Sequence, residues 1–528
     1  MRLLLLLTAI FLLFARTVPA VPSVTAQGTA KALYEQGTRL DAQEDEQAVA
    51  AYREAAAQGY LYAQAALVAR DDLTLFSLKS DALLAKLKAL DDPEAAFLAG
   101  KLLLSRDNAG EAVRLLEKAA KAGHAPAQYE LGRCAMEGKG MPENKEQAVQ
   151  YFLSAGAYAP AEYAMALCYD NGTGVKQDEA EAAIWYRKAA EHGHISAAAN
   201  LGYCYEHGTG VPQDTREAVS WYQKAARRGN ATAQCNLAQC YYRGIGTQQD
   251  IAKAVPWFRK AAEQNDPRGM NDYGMLLKDG TGVPQDTEQA IAWLTKSAEA
   301  DYALAQANLG NLLHELSGGT GTKEAAKWFA LAAAQGNAQA QNNLAAYYDN
   351  GLGGMPQDHD MAMFWLQEAA AGGDAQAQYT LAGFLLNGDA ENQAQAVSLL
   401  ALSAEQNFAK AQTELAFCYS NGIGVKKDEQ AAVIWLSRAA AMGEPTAQRR
   451  LGLEYQLGQN IRQDETMAFE LFCKAAEQGD ANAEYYVAEC YEFGSGVRKD
   501  KKEAVRWYRK AAQHGHEDAG KRLEELGD

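Results

Sequence analysis

Histidine is the residue type in this chain that could begin a metal site, and its placement is regular. Two histidine pairs, His192/His194 and His514/His516, each flank a glycine. Two imidazoles this close together could supply half of a zinc-type ligand set. Equivalent places along the chain hold other polar residues, namely Asn230, Asp266, Asn337 and Asp480. We therefore interpret the histidines as polar loop residues, with a metal site as the alternative, and we expect no cofactor.

The cysteines could form disulfides, but their spacing argues against a disulfide framework. Six of the eight occupy one place in a recurring unit: Cys134, Cys168, Cys204, Cys240, Cys418 and Cys490. Equivalent residues on adjacent packed helices lie roughly 9–10 Å apart, whereas a disulfide needs Cα atoms within about 7 Å. We predict that these six are small buried residues. Cys473 and Cys490 should face each other across a helix–loop–helix and are the one pair that could be bonded.

The sequence contains none of four common catalytic motifs. It has no Ser-x-x-Lys, no GxSxG elbow, no HExxH zinc helix and no GxxxxGK[ST] phosphate loop. Its many GxG pairs, such as Gly172-Gly174 and Gly208-Gly210, follow a predicted helix and do not open one after a strand. They are therefore predicted to be turns and not dinucleotide-binding loops. We expect no catalytic residues and no enzymatic activity.

Charge limits the class of partner. The 528 residues include 50 Lys and Arg against 67 Asp and Glu, a formal net charge of −17. Such a surface repels phosphate backbones, so we expect no nucleic-acid partner. Residues 498–510 run against this trend, with seven basic residues and two acids. This stretch could dock on an acidic partner or an anionic lipid, but a solvated face of a terminal helix pair is the simpler interpretation.

The N-terminus has the pattern of an export signal. Arg2 precedes an apolar run over residues 3–15, which is too short to span a bilayer. Small residues at suitable spacing follow, ending at Ala26. Residues 1–26 are therefore predicted to be a secretory signal peptide, with an uncleaved anchor as the alternative. Because no later segment is apolar enough to span a membrane, we expect a soluble periplasmic or secreted protein.

Tryptophan reveals the elements that position all of these residues. The eight tryptophans are Trp185, Trp221, Trp257, Trp293, Trp328, Trp365, Trp435 and Trp507. Successive spacings are 36, 36, 36, 35, 37, 70 and 72 residues, and the last two are double steps with Leu399 and Leu471 at the vacant places. A fixed period of this length is typical of a solenoid built from repeated helix pairs.

Residues 195–230 show the unit. The first half carries small or apolar residues at helical spacing (Ala198, Leu201, Gly202 and Tyr205) and ends at Gly208-Thr209-Gly210. Asp214 is predicted to cap a second helix, and an aspartate recurs there in other units: Asp178, Asp250, Asp286, Asp358, Asp428, Asp464 and Asp500. The second helix should bury Ala218, Trp221, Tyr222, Ala225 and Ala226 before Gly229 ends it.

These units divide the chain into regions. Eleven units cover residues 125–516, degenerate helical copies precede them over residues 27–124, and residues 517–528 are predicted to be a polar C-terminal capping helix. Two units depart from the pattern. Residues 314–326 lack the usual loop and capping aspartate, and residues 385–396 lack the GxGV turn. Drift is the simplest explanation, and a bend or binding feature is the alternative.

The unit AxxxLGxxYxxGxGVxxDxxxAxxWYxxAAxxG resembles the Sel-one-like repeat, a relative of the tetratricopeptide repeat. The resemblance implies an all-α fold, a right-handed α-solenoid superhelix of stacked helix-turn-helix repeats that holds other proteins or peptides. Exported bacterial members resemble regulators, envelope scaffolds and host-interaction proteins. The cysteine-rich branch of the family staples each helix pair with paired cysteines, which this chain lacks, so activities of that branch are not expected here.

The resemblance also implies where a partner would bind. First helices should line a concave groove, whose exposed positions lie beside the Leu-Gly pair. The candidate residues are Tyr129, Arg133, Tyr163, Tyr203, Gln239, Tyr242, Asn271, Asn311, His314, Asn342, Tyr379, Phe417, Arg449 and Tyr485. Aromatic and arginine anchors among amides suit a peptide groove. The alternative is that several tyrosines simply pack between first helices.

Three functions are consistent with these features. We favour a non-enzymatic interaction scaffold or adaptor in the bacterial envelope, with partners bound in the groove. The first alternative is an envelope hydrolase or a glycan- or peptidoglycan-binding protein, which requires a compact cluster of acids, Ser/Lys or histidines. The second is a eukaryotic secretory-pathway adaptor, since residues 171–173 and 230–232 are glycosylation sequons.

Overall fold

A computed structural model describes residues 24–44, 47–69 and 80–526. The described residues form helices and turns with no strand, which confirms the predicted all-α fold of repeated helix pairs. Most of the predicted signal peptide, residues 1–23, lies outside the described residues, and the first described helix begins at Val24. No helix in the described ranges is long and apolar enough to cross a membrane.

The chain divides between Ala290 and Ile291 into two compact units. The helices of the first unit are α1 (Val24–Ala42), α2 (Gln47–Ala57), α3 (Leu61–Val68), α4 (Ser80–Lys88), α5 (Pro93–Leu104), α6 (Ala109–Lys121), α7 (Ala125–Glu137), α8 (Lys145–Ser154), α9 (Ala159–Asn171), α10 (Glu179–Glu191), α11 (Ile195–His207), α12 (Thr215–Arg227), α13 (Ala231–Arg243), α14 (Ile251–Glu263) and α15 (Pro267–Asp279). The division falls within α16 (Thr287–Glu299).

The second unit continues the same alternation of first and second helices. Its helices are α17 (Ala303–Leu316), α18 (Lys323–Ala334), α19 (Ala338–Asn350), α20 (His359–Ala371), α21 (Ala375–Leu385), α22 (Ala390–Glu405), α23 (Ala409–Asn421), α24 (Glu429–Ala441), α25 (Pro445–Leu457), α26 (Glu465–Glu477), α27 (Ala481–Phe493), α28 (Lys501–Gln513) and α29 (Glu517–Leu526), with a short 3-10 turn at Leu352–Gly354.

The predicted capping signals begin and end the helices as expected. The Asp214 carboxylate accepts hydrogen bonds from the amides of Arg216 and Glu217, which lack helical partners in the first turn of α12. Gly208 ends α11 in the left-handed conformation, with φ of 75°. In the two units that depart from the pattern, Thr322 and Asp389 cap α18 and α22 instead. The helix pair therefore survives the loss of its usual loop.

The second glycine of each GxG turn is fixed by a close approach between helix pairs. Gly210 has a φ of 70°, and a Cβ there would lie 2.0 Å from the carbonyl oxygen of Glu179, at the start of the preceding second helix. The equivalent Gly246 and Gly496 face the carbonyls of Thr215 and Glu465 in the same way. The turn thus joins consecutive helix pairs as well as the two helices of one pair.

The core of each pair is centred on the residue after the tryptophan position. Tyr222 is fully buried, and its ring packs against Gly202 so closely that a Cβ on Gly202 would lie 2.6 Å from a ring carbon. Its hydroxyl donates to Glu206 over 2.7 Å. The same close contact with an aromatic ring of the second helix occurs at Gly132, Gly310 and Gly452, so the glycine of these Leu-Gly pairs makes room for that ring.

The tryptophans themselves are less buried than the sequence suggests. Trp221 and Trp328 are buried, but the other six are only half-buried. A lysine or arginine cation lies over the ring in seven of the eight, as where Lys224 Nζ lies 3.5 Å from the Trp221 ring centroid. Trp365 packs against two neighbouring hydrophobic clusters at once. The indole thus seals the junction between successive clusters, and the side chain after it fills the centre of the pair.

A recurrent buried glutamine links consecutive helix pairs. At position 4 of α13, Gln234 donates to the carbonyl of Ala226 in the preceding pair, and its own Oε1 accepts from Gln264 over 2.7 Å. The same side-chain pair recurs as Gln306/Gln335, Gln378/Gln406 and Gln448/Gln478. In two repeats the pair is instead Glu162/His192 or Glu484/His514. The two positions therefore change together from repeat to repeat.

Candidate partner-binding surfaces

Half of the predicted groove residues occupy position 5 of a first helix, and five of these seven contact the residue that caps the next first helix. Tyr163 stacks on His194 with ring centroids 4.4 Å apart, and Tyr485 stacks on His516 at 4.3 Å. Tyr129 packs edge-on against Tyr158, and Tyr379 packs against Phe408 with its ring tilted. Arg449 forms an ion pair with Asp480 instead, with its Nε 3.0 Å from Oδ2.

These pairs show what position 5 does. Burial raises the pKa of Tyr129 and Tyr163, and it raises the pKa of Tyr485 to about 12. The contacts join one repeat to the turn that begins the next. Tyr129, Tyr163, Tyr379, Arg449 and Tyr485 therefore hold adjacent repeats together, which is the alternative that the sequence left open for the tyrosines.

Asn271, also at position 5, corrects the expectation of an exposed residue. It is only 2% exposed, because α15 packs against both α13 and α14. Its Nδ2 donates to Asp272, which also accepts from Gln239, another predicted groove residue. Burial raises the pKa of Asp272. Gln239 and Asn271 thus belong to an internal polar cluster around one carboxylate. Asn342 has the same helix position in α19 and lines a cleft described below.

Position 9 of the first helices is the more exposed position. Arg133, Tyr203 and Phe417 occupy it, and all three are exposed. Arg133 forms ion pairs with Glu130 and Glu137 on its own helix, and Tyr203 stacks on His207. The remaining predicted residues are half-buried against neighbours. Asn311 accepts from Asn343, His314 lies 2.9 Å from the Tyr347 hydroxyl, and Tyr242 packs edge-on to Phe258.

In the second unit, exposed aromatic residues surround two adjoining clefts. A cleft of 280 Å³ is bordered by Asn342, His359, Met363, Thr380 and Phe384 among others. A second cleft of 670 Å³ lies on the other side of Thr380 and Phe384 and reaches Phe417. We call the surface formed by Tyr379, Thr380, Gly383, Phe384 and Phe417 the aromatic surface. It brings together two predicted residues, Tyr379 and Phe417, and Asn342 lies beside it.

Phe384 is the aromatic residue of this surface that the sequence analysis missed. It stands at position 10 of α21, where most other first helices bury a cysteine or a leucine, such as Cys418 and Leu312. Phe384 is instead 49% exposed. The turn after α21 is short, since α22 is capped by Asp389 only four residues after α21 ends. The missing GxGV turn and the large residue at a small position were both visible in the sequence and together mark this site.

Basic and aromatic groups frame the aromatic surface. The Arg450 guanidinium lies 5.1 Å from the Phe417 ring centroid, and His359 packs edge-on to Phe384. Glu414 and Asn387 line the larger cleft between them. An apolar centre with a polar border is the composition of surfaces that bind apolar side chains of another chain.

The histidine pairs do not converge. His192 contacts Glu162 across 2.6 Å, whereas His194 caps α11 and stacks on Tyr163. His514 and His516 divide in the same way between Glu484 and Tyr485. Within the described ranges, no group of three or more His, Cys, Asp or Glu side chains could hold a metal ion. Each pair thus serves two different inter-helix contacts.

All eight cysteines lie in the described part of the chain, and each is a free thiol. The six at the recurring position are buried, as predicted. The disulfide considered between Cys473 and Cys490 is not present. Burial raises the pKa of Cys473 to about 11, and burial together with the neighbouring Cys473 raises the pKa of Cys490 to about 12. The cysteines act as small apolar residues in the packing of the helix pairs.

The basic stretch is partly tied to its own repeat. Lys510 contacts Glu484 at 3.0 Å and lies over Trp507, and Arg506 pairs with Glu503 at 3.2 Å. Helix α29 closes over the same end of the unit, where Arg522 binds Glu492. These contacts place part of the stretch within the ion-pair network of the last repeats.

The comparisons with known proteins agree with this architecture. The family model described as Sel1 repeat matches twelve segments: 94–124, 125–157, 159–194, 195–230, 231–266, 267–302, 303–337, 338–374, 375–408, 409–444, 445–480 and 481–516. It thus includes residues 94–124, which the sequence analysis treats as a degenerate copy. No curated protein matches the chain.

Among solved structures, a protective antigen present in uropathogenic Escherichia coli strains, displaying an SLR fold, is 31% identical and has a TM-score of 0.62. The match covers 84% of this chain and 97% of that protein. A Sel1 repeat protein from Oxalobacter formigenes is 32% identical over 46% of this chain and 96% of its own, with a TM-score of 0.42. Helicobacter pylori cysteine rich protein B is 26% identical over 26% of this chain and 98% of its own, with a TM-score of 0.22.

Proposed function

Because this chain belongs to the Sel1 repeat family, we propose that it is a non-enzymatic scaffold that binds other proteins through the first helices of its repeats. The observation that carries the proposal is the exposure of Phe384 and Phe417 on neighbouring first helices, at 49% and 39%, around a cleft of 670 Å³. Large exposed aromatic side chains beside a cleft are typical anchors for a protein partner.

The proposed ligand of this surface is a segment of a partner protein that inserts an apolar side chain between Phe384 and Phe417. The shape of the site supports this choice. Gly383, which lines the cleft together with the two phenylalanines, has no side chain. The space beside it is open, because a Cβ there would meet no atom within 4 Å. The opening is therefore wide enough for a bulky side chain, and Glu414 and Asn387 at the border can bind the backbone of an extended peptide.

We propose that the protein is exported and works in the bacterial envelope or outside the cell. The support is the sequence of residues 1–26, with its basic start, short apolar run and small residues before Ala26. The similar Escherichia coli protein is described as a protective antigen, a property consistent with a protein that meets the host. The net charge of −17 supports protein partners over nucleic acid.

A peptide selection against the purified mature chain tests the proposal. We expect selected peptides to share a large apolar residue, and we expect Phe384→Ala/Phe417→Ala to weaken their binding at least tenfold. The matched control is Phe364→Ala, which removes an equally exposed phenylalanine from a second helix. If both variants bind the peptides equally well, the aromatic surface is not the binding site.

A further inference from the structure

The turn between α1 and α2 is held by residues about 150 positions further along the chain. The Gln43 carbonyl accepts from the Ile195 amide, and its side-chain amide donates to the His192 carbonyl over 3.2 Å. The Glu44 carboxylate accepts from both the amide and the hydroxyl of Ser196, over 2.8 and 2.6 Å. Two consecutive residues of the turn are thus bound by one inter-repeat turn of the first unit.

These bonds use the N-terminus of α11. The amides of Ile195 and Ser196 are in the first turn of that helix, where backbone donors have no partner within the helix. His194 caps the helix by accepting from the Ala197 amide. The amides of Ile195 and Ser196 are therefore left for an acceptor outside the helix. The positive end of the helix dipole also favours a carboxylate at this place. The Glu44 side chain supplies that carboxylate.

Arg228 adds a guanidinium to these donors, at the cap of α12, where the equivalent caps in other repeats include glutamine and histidine. In four repeats the cap of the second helix is a glutamine that binds a glutamine at position 4, but here position 4 is Ala198. The Arg228 guanidinium therefore reaches further. It donates to the Gly193 carbonyl over 2.6 Å and to Gln43 Oε1 over 3.2 Å. The repeat that contains Arg228 is therefore the one that binds the Gln43–Glu44 turn.

Gly193 shows that the contact is specific to one repeat. A Cβ on Gly193 would lie 2.6 Å from Gln43 Nε2. The glycines at the same place in other described inter-repeat turns have nothing within 4 Å of such a Cβ, and they are Gly123, Gly229, Gly336, Gly373, Gly443, Gly479 and Gly515. The space that is open at those turns is filled here by the Gln43–Glu44 turn.

We propose that Gly193, Ser196 and Arg228 form a binding site for an acidic turn, which the Gln43–Glu44 turn occupies in this chain and from which an acidic segment of a partner protein displaces it. The ligand class follows from the donors: two backbone amides, one hydroxyl and one guanidinium bind a carboxylate and the carbonyl and carboxamide oxygens beside it. The site lies in the first unit, so its test does not depend on the aromatic surface of the second.

The hairpin is suited to be a displaceable ligand. Its helices are anchored apart from the turn, because Tyr34 and Tyr52 pack together in the core with α3 and α5, and Tyr34 binds Glu94. Release of the turn therefore costs only the polar contacts at its tip. Those contacts are partly exposed, so a second acidic segment can compete for the same donors.

A fluorescein-labelled peptide of sequence TRLDAQEDEQ, residues 38–47 of this chain, tests the site in trans on the full mature protein. In the Glu44→Lys variant, the basic side chain is repelled by the helix N-terminus and Arg228, which opens the site. We expect this variant to bind the peptide at least tenfold more tightly than the unsubstituted chain. The matched control Glu35→Lys reverses an exposed charge on the same hairpin and should leave binding unchanged.

Two further variants complete the test. Adding Ser196→Ala and Arg228→Ala to Glu44→Lys should abolish the gain, and a peptide with glutamine in place of its Glu44 should bind at least tenfold more weakly. In the otherwise unsubstituted chain, Ser196→Ala/Arg228→Ala should speed hydrogen exchange of the amides at the start of α11. Equal peptide binding by all chains, or exchange that is unchanged in the double variant, would overturn the proposal.

Discussion

Arg449 binds Asp480 through a hydrogen bond of 3.0 Å, and these are the two positions at which Tyr163 stacks on His194 in an earlier repeat. The contact between position 5 of one first helix and the cap of the next is therefore made either by an ion pair or by two stacked rings. Thr413 and Glu444 make it with a hydrogen bond of 3.1 Å. The residue at position 5 and the cap of the next first helix form a unit, and their chemistry must match.

This match predicts a compensating exchange. Arg449→Tyr and Asp480→His should each lower the local stability around α25 to α27 by about 1–2 kcal/mol, since each leaves a largely buried group without its partner. The double variant recreates the Tyr–His stack, and histidine already caps α11 and α29. We expect a favourable coupling of about 1 kcal/mol. Native-state hydrogen exchange of the three helices measures it, and strictly additive effects would contradict it.

The glutamine pairs predict a stabilising substitution. Gln412 is buried, but its Oε1 has no hydrogen-bond partner, because the cap of the second helix in its repeat is Met442. Met442→Gln should restore the bond seen between Gln448 and Gln478 and raise the unfolding free energy by about 1 kcal/mol. Urea denaturation tests this. The control Met442→Leu keeps the apolar character, and an equal gain from it would rule out the hydrogen bond as the cause.

Two glycines predict opposite effects of the same substitution. Gly202→Ala places a Cβ 2.6 Å from the Tyr222 ring and should destabilise the chain by about 1–3 kcal/mol through overpacking. Gly110 lies in α6 with nothing within 4 Å of such a Cβ, so Gly110→Ala should stabilise by about 0.5–1 kcal/mol. Thermal unfolding of both variants checks the signs. Similar shifts in the two would show that ring packing does not require Gly202.

His194 predicts a loss of stability on acidification. Burial lowers the pKa of His194, and Arg228 lowers it further, whereas Glu44 raises it. The folded chain therefore holds this imidazole neutral at a pH where the unfolded chain, with a pKa near 6.5, takes up a proton. Stability is fully present above the unfolded pKa and falls as the pH drops below it.

The variant His194→Asn separates this proton from the cap. Asparagine caps the equivalent helices at Asn230 and Asn337, so the variant keeps the hydrogen bond to the Ala197 amide but does not titrate. The difference in stability between pH 7.5 and pH 5 should be smaller in the variant than in the unsubstituted chain. Denaturation at both pH values measures it, and an identical pH dependence in the two chains would exclude His194 as the source.

The free thiols should react slowly in the folded protein. Burial raises the pKa of Cys168 and Cys473 to about 11, so little thiolate is present at pH 8. Labelling with a disulfide reagent at pH 8 should be slow for the folded chain and fast after denaturation, with all eight thiols then reacting. Only six reactive thiols in the denatured chain would mean that two cysteines had formed a disulfide.

The repeat and its capping signals were predictable because each depends on neighbouring residues. Asp214 and Gly208 act within a few positions of themselves, and the period of the tryptophans gives the helix pairs directly. The degree of burial was harder to infer. The sequence marks Trp185 and Trp221 alike, but only the packed structure shows that a lysine covers the ring face and that Tyr186 and Tyr222 fill the core.

The candidate site was predicted in part. Exposed Tyr203 and Phe417 were found from their helix positions, whereas Asn271 proved buried. The pairing of position 5 with the next cap could have been read by comparing repeats side by side, as Arg449 with Asp480 shows. The contact of Gln43 with Arg228 could not have been predicted from the sequence, because it joins residues 185 positions apart and depends on the rotation between successive repeats.

The two kinds of inter-repeat contact respond differently to changes in copy number. Gln234 meets a backbone carbonyl of the preceding repeat and a side chain of its own, so duplication or loss of a whole 36-residue unit would leave every such link intact. The Gln43–Arg228 contact instead depends on the number of units between the two residues, because it forms only when that number is fixed. Units could therefore be added after Arg228 during evolution, whereas the contact fixes the number of units between Gln43 and Arg228.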